Sequence, residues 1–196
     1  MNTMALVPAR ATQNPVNQAP HTPPELIVST QDVLVQGLSL LFKLSDRTYS
    51  QSIKAPYRAS IGGQYRQILE HFRCVIRSLR SGEINYEARE HNSRLETDVT
   101  YATIATCDVL RAIKNFGYAV LNRASKVVNT LPNGESRRSL VETTVGRELA
   151  YCNSFAIHHY AMVRSICGQL EIEVPAEFDA ARPAALPAIM VGTNGF

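Results

Sequence analysis

The chain has 196 residues, of which 45% are hydrophobic and 19% charged, and a formal net charge of +3 from 20 basic and 17 acidic side chains. This length corresponds to one domain whose core needs neither disulfides nor a structural metal. Its scattered positive charge argues against a dense nucleic-acid footprint, and no apolar run is long enough for a signal peptide or a membrane span.

The densest basic group, Arg73, Arg77 and Arg80, lies on one helix face and reads as solvated surface, so no nucleic-acid partner is expected. Cys74, Cys107, Cys152 and Cys167 stand far apart among apolar neighbours and never in CxxC spacing. They read as free thiols packed as small hydrophobes, which points to a reducing, cytoplasmic setting.

Residues 1–28, with several prolines, read as a flexible leader, and 179–196, rich in Ala, Pro and Gly, as an extended or disordered tail. The folded unit is then 29–178. The first helix is predicted to start after Ser29 or Thr30, both good caps, with Asp32 in its first turn and Val33, Gly37, Leu40, Leu41 and Leu44 on its apolar face. After Pro56, Ser60 caps a second helix that Gly82 ends, with Ile61, Tyr65, Ile68, Phe72, Val75 and Leu79 as its stripe. The charged linker that follows holds Tyr86, Glu87, Arg89, Glu90, Arg94, Glu96 and Asp98, read as ion pairs and caps, and His91, read as exposed.

A third helix carries Val99, Ala102, Thr106, Val109, Leu110, Ile113 and Phe116, with Gly117 as its stop. Between Lys126 and Thr144, two apolar runs flank Pro-Asn-Gly, the pattern of a small hairpin. The last helix, Val145 to Leu170, repeats Leu149, Cys152, Ala156, His159, Val163, Ile166 and Leu170 three and four apart. Four helices with one long connection before the last predict an all-α fold, a four-helix bundle.

Within NSFAIHHYAMV (153–163), His159 sits in the apolar seam and His158 about 100° round from it, so the two do not share a site. His71 and His159 with Glu70 or Glu148 form a ligand set whose geometry the sequence does not fix. Equally, each is a core histidine bonded to a carbonyl, Tyr or Gln. No nucleophile elbow, P-loop, dinucleotide fingerprint or HExxH occurs, and Gly62-Gly63 at a helix start is only a weak anion signal.

Taken together and in order, SIGGQYRQILEHF, INYEAREHNSRLETD, RELAYCNSFAIHHYAMV and PAEF resemble the DinB-like superfamily over about residues 30–180. That group comprises four-helix bundles, many with a metal site used by thiol-dependent transferases. The resemblance implies three histidine ligands, one on the second helix and an HxxxH pair on the fourth. On this chain they fall on Gln67, Phe155 and His159, so only His159 is retained. Phenylalanine cannot ligate, and neutral glutamine is a poor zinc or nickel ligand. The expectation is a DinB-like protein with no cofactor that binds a small molecule in a pocket lined by Gln67, His71, Phe155 and His159. One alternative is a transferase or hydrolase holding zinc or nickel on His159, His71 and an unrecognised third ligand. The other is a homodimeric interaction protein.

Overall fold

The computed structural model describes residues 24–54, 59–88, 91–130, 138–175 and 178. The chain is mostly helical with a small sheet, in the order α1 (Glu25–Leu41), α2 (Asp46–Ser50), α3 (Ile61–Ser81), β1 (Glu83–Ile84), α4 (Arg94–Thr97), α5 (Val99–Lys114), α6 (Tyr118–Leu121), β2 (Ala124–Thr130), β3 (Arg138–Thr144), α7 (Val145–Gln169). No helix among these residues is long and apolar enough to cross a membrane. The expectations for residues 1–23 and 179–196 lie outside the described residues.

The first helix begins a turn earlier than its sequence suggests. Pro24, at φ −54°, stands at the N-cap and Glu25 puts negative charge in the first turn. The apolar face reaches back to Ile27, which is fully buried. Thr30 is therefore no cap: it is buried in mid-helix, donating to the Leu26 carbonyl at 2.7 Å and accepting from Asn153 Nδ2 at 2.9 Å. Ser45 ends the segment by building a capping box with Thr48, which starts α2.

Helix α3 is as expected, capped by Ser60, whose Oγ accepts from the Gly63 amide at 3.0 Å, and closed by Gly82 at φ 76°. Gly62 serves packing, not anion binding. A Cβ there would lie 2.0 Å from the Glu96 carbonyl oxygen, so only glycine lets α3 approach α4 this closely. Asp98 caps α5 by accepting from the Tyr101 amide at 2.7 Å. Hydrogen bonding from Arg94 and from that amide holds the Asp98 carboxyl below its ordinary range.

The linker holds more structure than its charge pattern suggested, since β1 and α4 both fall in it. The sheet order is β1-β2-β3, with β2 and β3 antiparallel in the register Val127↔Val141 and β1 parallel to β2. The two hairpin strands are thus present, while their Pro-Asn-Gly connection lies outside the described residues. The short parallel strand had no signal, because two residues cannot show a period.

The four longer helices close a ring: α1 packs on α5 and α7, and α3 packs on the same two. The core between them contains Leu34, Leu41, Ile61, Tyr65, Ile68, Phe72, Ile113, Leu149 and Val163. Tyr65 crosses it to donate to the Gly37 carbonyl at 2.7 Å, and Phe178 returns to pack on Tyr160 with ring centroids 5.0 Å apart. Overpacking the α3–α4 contact is costly. Gly62→Ala is expected to lose ~3 kcal/mol in urea denaturation. Gly168→Ala, where a Cβ meets nothing within 4 Å, should change stability by no more than ~1 kcal/mol; equal effects would refute the close-approach account.

Candidate functional site

Helices α3 and α7 run antiparallel, pairing Gln64 with His159 and His71 with Phe155. On α3 the stripe Gln64, Gln67, His71 recurs at three and four residues, and on α7 Tyr151, Phe155, His159 recur at four, so each set leaves one helix face. Where the stripes meet, aromatic rings form a continuous stack. The Phe155 ring contacts both imidazoles, stacked on His71 with centroids 3.7 Å apart and tilted against His159 at 4.2 Å. Tyr86, from the linker, covers the other side of His71 at 5.0 Å in a stacked orientation.

Both histidines are oriented by their Nδ1 atoms. His71 Nδ1 lies 2.7 Å from the Gln67 carbonyl oxygen, which only accepts, so the nitrogen donates. His159 Nδ1 donates in the same way to Gln64 Oε1 at 2.6 Å. The glutamine side chain on His159 is therefore that of Gln64, one turn before Gln67, whereas Gln67 supplies its backbone oxygen to His71. Both imidazoles are nearly buried, at 4% and 6% exposure. His158 and His91 are exposed, and the His158 ring meets that of His159 only edge-on.

The stack runs into a polar cluster that the sequence did not suggest. Tyr86 Oη donates to Glu148 Oε2 at 2.9 Å, while Thr143 Oγ1 and Arg147 Nη1 each donate to Glu148 Oε1 at 2.8 Å. These bonds let a carboxylate with 2% exposure sit beside the core. Cys152 Sγ lies 3.9 Å from Tyr86 Oη, and burial pushes that thiol well above its ordinary range. Burial does the same to the Tyr86 phenol, with Cys152 and Glu148 adding to the shift. A protonated, buried thiol of this kind is packing rather than a nucleophile. Tyr86 is not one of the linker's caps or ion pairs: its hydrogen-bonding partners lie 62 and 66 residues away, a separation no local pattern reports.

The ligand set of His71 and His159 with Glu70 or Glu148 does not assemble. Glu70 pairs with Arg66 at 3.0 Å, on a different face of α3, and Glu148 is engaged by Tyr86, Thr143 and Arg147. Among the described residues, no group of three or more His, Cys, Asp or Glu can hold a metal ion. The Phe155 ring packs against both imidazoles. Two described cavities lie elsewhere: one of about 560 Å³ beside Cys74, Arg77 and Arg80, and one of about 530 Å³ beside Leu26, Tyr118 and Arg147.

No family model matches the chain. Over 106 residues, 54% of the chain, it is 31% identical to FK506-binding protein 5 of Rhizopus delemar, and that stretch spans about a quarter (27%) of the relative.

Burial sets the pH response of these groups. Cys152 and the phenols of Tyr49, Tyr65, Tyr86 and Tyr160 all hold their protons more tightly in the fold, and Cys167 is pushed up to about 11. The protonated form is the neutral one, so their contribution to stability is whole below the unfolded values of 9.0 and 10.0 and is lost as pH rises beyond them. Urea midpoints should show no loss from these groups between neutral pH and 9, then fall between 9 and 11. A midpoint that stays level to 11 would contradict the burial of these hydroxyls and thiols.

Proposed function

We propose that the chain is a DinB-like four-helix bundle that binds a small molecule where relatives of that superfamily hold a metal ion. The carrying observation is Phe155, packed against both His71 and His159. The closed ring of α1, α5, α3 and α7, with the hairpin connection ahead of α7, supports the bundle architecture. In this reading the ligand would meet the aromatic rings of Phe155, Tyr86 and Tyr151 and the amide groups of Gln64 and Gln67. Apolar surface with a few fixed polar groups suits a neutral, partly aromatic ligand better than an ion.

A metal-dependent transferase or hydrolase is the second reading, favoured by one feature. Both imidazoles donate from Nδ1 to an oxygen, the outer arrangement that orients a histidine ligand. Metal analysis of the untagged protein separates the two. The pocket reading expects no stoichiometric metal and a melting temperature indifferent to EDTA; about one ion per chain, removed by EDTA with loss of stability, puts the metal reading ahead.

The name of the Rhizopus delemar relative attaches FK506 binding to a chain of which this one spans about a quarter, so FK506 is a natural first probe. Saturable binding that Phe155→Ala weakens at least ~10-fold, about 1.4 kcal/mol, would seat the compound in the stack. Zinc provides the complementary test. Phe155→His should bring three imidazoles together and confer zinc affinity that the parent lacks. At a zinc concentration ~100 times Kd the variant gains about 2.7 kcal/mol, read as a rise in melting temperature. If the variant responds to zinc no more than the parent does, the pocket is not a former metal site.

A further inference from the structure

Helix α1 carries a second apolar face on the flank of its core-facing one. Val28, Val35 and Phe42 recur every seven residues and are 42%, 51% and 72% exposed. Gln31 and Leu38, half-buried, fill the intervening turns, so the outer face repeats at three and four residues like the inner one. The side chains buried by α1's own contacts (Ile27, Thr30, Val33, Leu34, Gly37, Leu40, Leu41) are centred roughly 100–130° round the helix from that outer face. On the neighbouring α5, Ile104 is likewise 54% exposed. A stripe of this spacing matches one half of a helix-pair seam, and no second helix among the described residues covers it.

Charge selects the occupant. Glu25 stands at the start of the stripe and Lys43 just past its end, on the same flank, and neither pairs with a described charge. When two identical helices pair antiparallel, residues on the same flank meet, and those at one end face those at the other. A dyad at Val35 therefore sets Val28 against Phe42 of the second copy, Val35 against Val35, and Glu25 beside Lys43 at both ends. Parallel pairing would instead bring like ends together and leave both charges unmatched. We infer that the outer face of α1 is a homodimer interface, two copies pairing antiparallel about Val35. The seam is ~21 Å long at 1.5 Å per residue. A contact confined to this one stripe falls at the weak, transient end of protein interfaces.

Sedimentation equilibrium of the full chain over a range reaching on the order of 100 μM reads the association. The mass should rise from one chain, 21.7 kDa, toward two. Val35→Asp should hold the mass at one chain. Charge reversal tests the orientation: Glu25→Lys or Lys43→Glu alone should weaken association roughly fivefold, and the two together should restore it. These positions are exposed, so circular dichroism of each variant should match the parent. A chain that stays at one-chain mass overturns the inference and leaves the stripe to residues 1–23 or to another protein. A dimer indifferent to Val35→Asp overturns it in favour of another surface, and a double reversal that fails to restore association overturns the antiparallel pairing.

Discussion

The antiparallel contact of α3 with α7 is the constraint around which the remaining elements are arranged. It sets His71 against Phe155 and Gln64 against His159, and the same two helices carry much of the buried apolar surface, from Ile61 and Tyr65 to Leu149 and Val163. Apolar burial supplies the drive, about 25 cal/mol per Å². The polar groups on the shared face determine the register, because a shift by one turn would leave a buried imidazole without its oxygen. Tyr86 then ties the linker to the pair by stacking on His71 and donating to Glu148.

Close approach at two glycines sets the spacing of the surrounding elements. A Cβ on Gly37 would fall 2.2 Å from the Tyr160 hydroxyl, and one on Gly62 would strike the Glu96 backbone. Each permits two elements to meet where any side chain would hold them apart, and Tyr65, reaching the Gly37 carbonyl, uses the room that results. The buried tyrosines follow one pattern: Tyr49 donates to the Leu95 carbonyl at 2.6 Å as Tyr65 does to Gly37, so large rings fill the core while their hydroxyls stay satisfied.

The Phe155 ring sets the chemistry of the contact between α3 and α7. Packed against two imidazoles, the phenyl ring contributes apolar contact where an imidazole would contribute a polar nitrogen. The proposed ligand class follows from that ring. The outer face of α1 illustrates a related economy, since one helix presents a three-and-four repeat to the core and another to its surroundings.

The helical periods, the Ser60 and Gly82 boundaries of α3, the two hairpin strands and the seam of α7 were legible in the residues, because each rests on local chemistry or on a period repeated over several turns. The start of α1 was not: Ser29 and Thr30 resemble caps, but burying Ile27 outweighs the capping preference and leaves Thr30 to bond Asn153, 123 residues away. The identity of His159 as an inward-facing residue could be read from its seam position, as could Phe155's inability to bind a metal. That Gln64 rather than Gln67 sets its side chain on His159, that Tyr86 joins the stack, and that Glu148 is held by three donors depended on the axial register of α3 against α7 and on the path of the linker. Sequence by itself determined which faces had to be buried. Only the tertiary structure decided which residues meet across them, because register is a balance of packing and hydrogen bonds between segments distant along the chain.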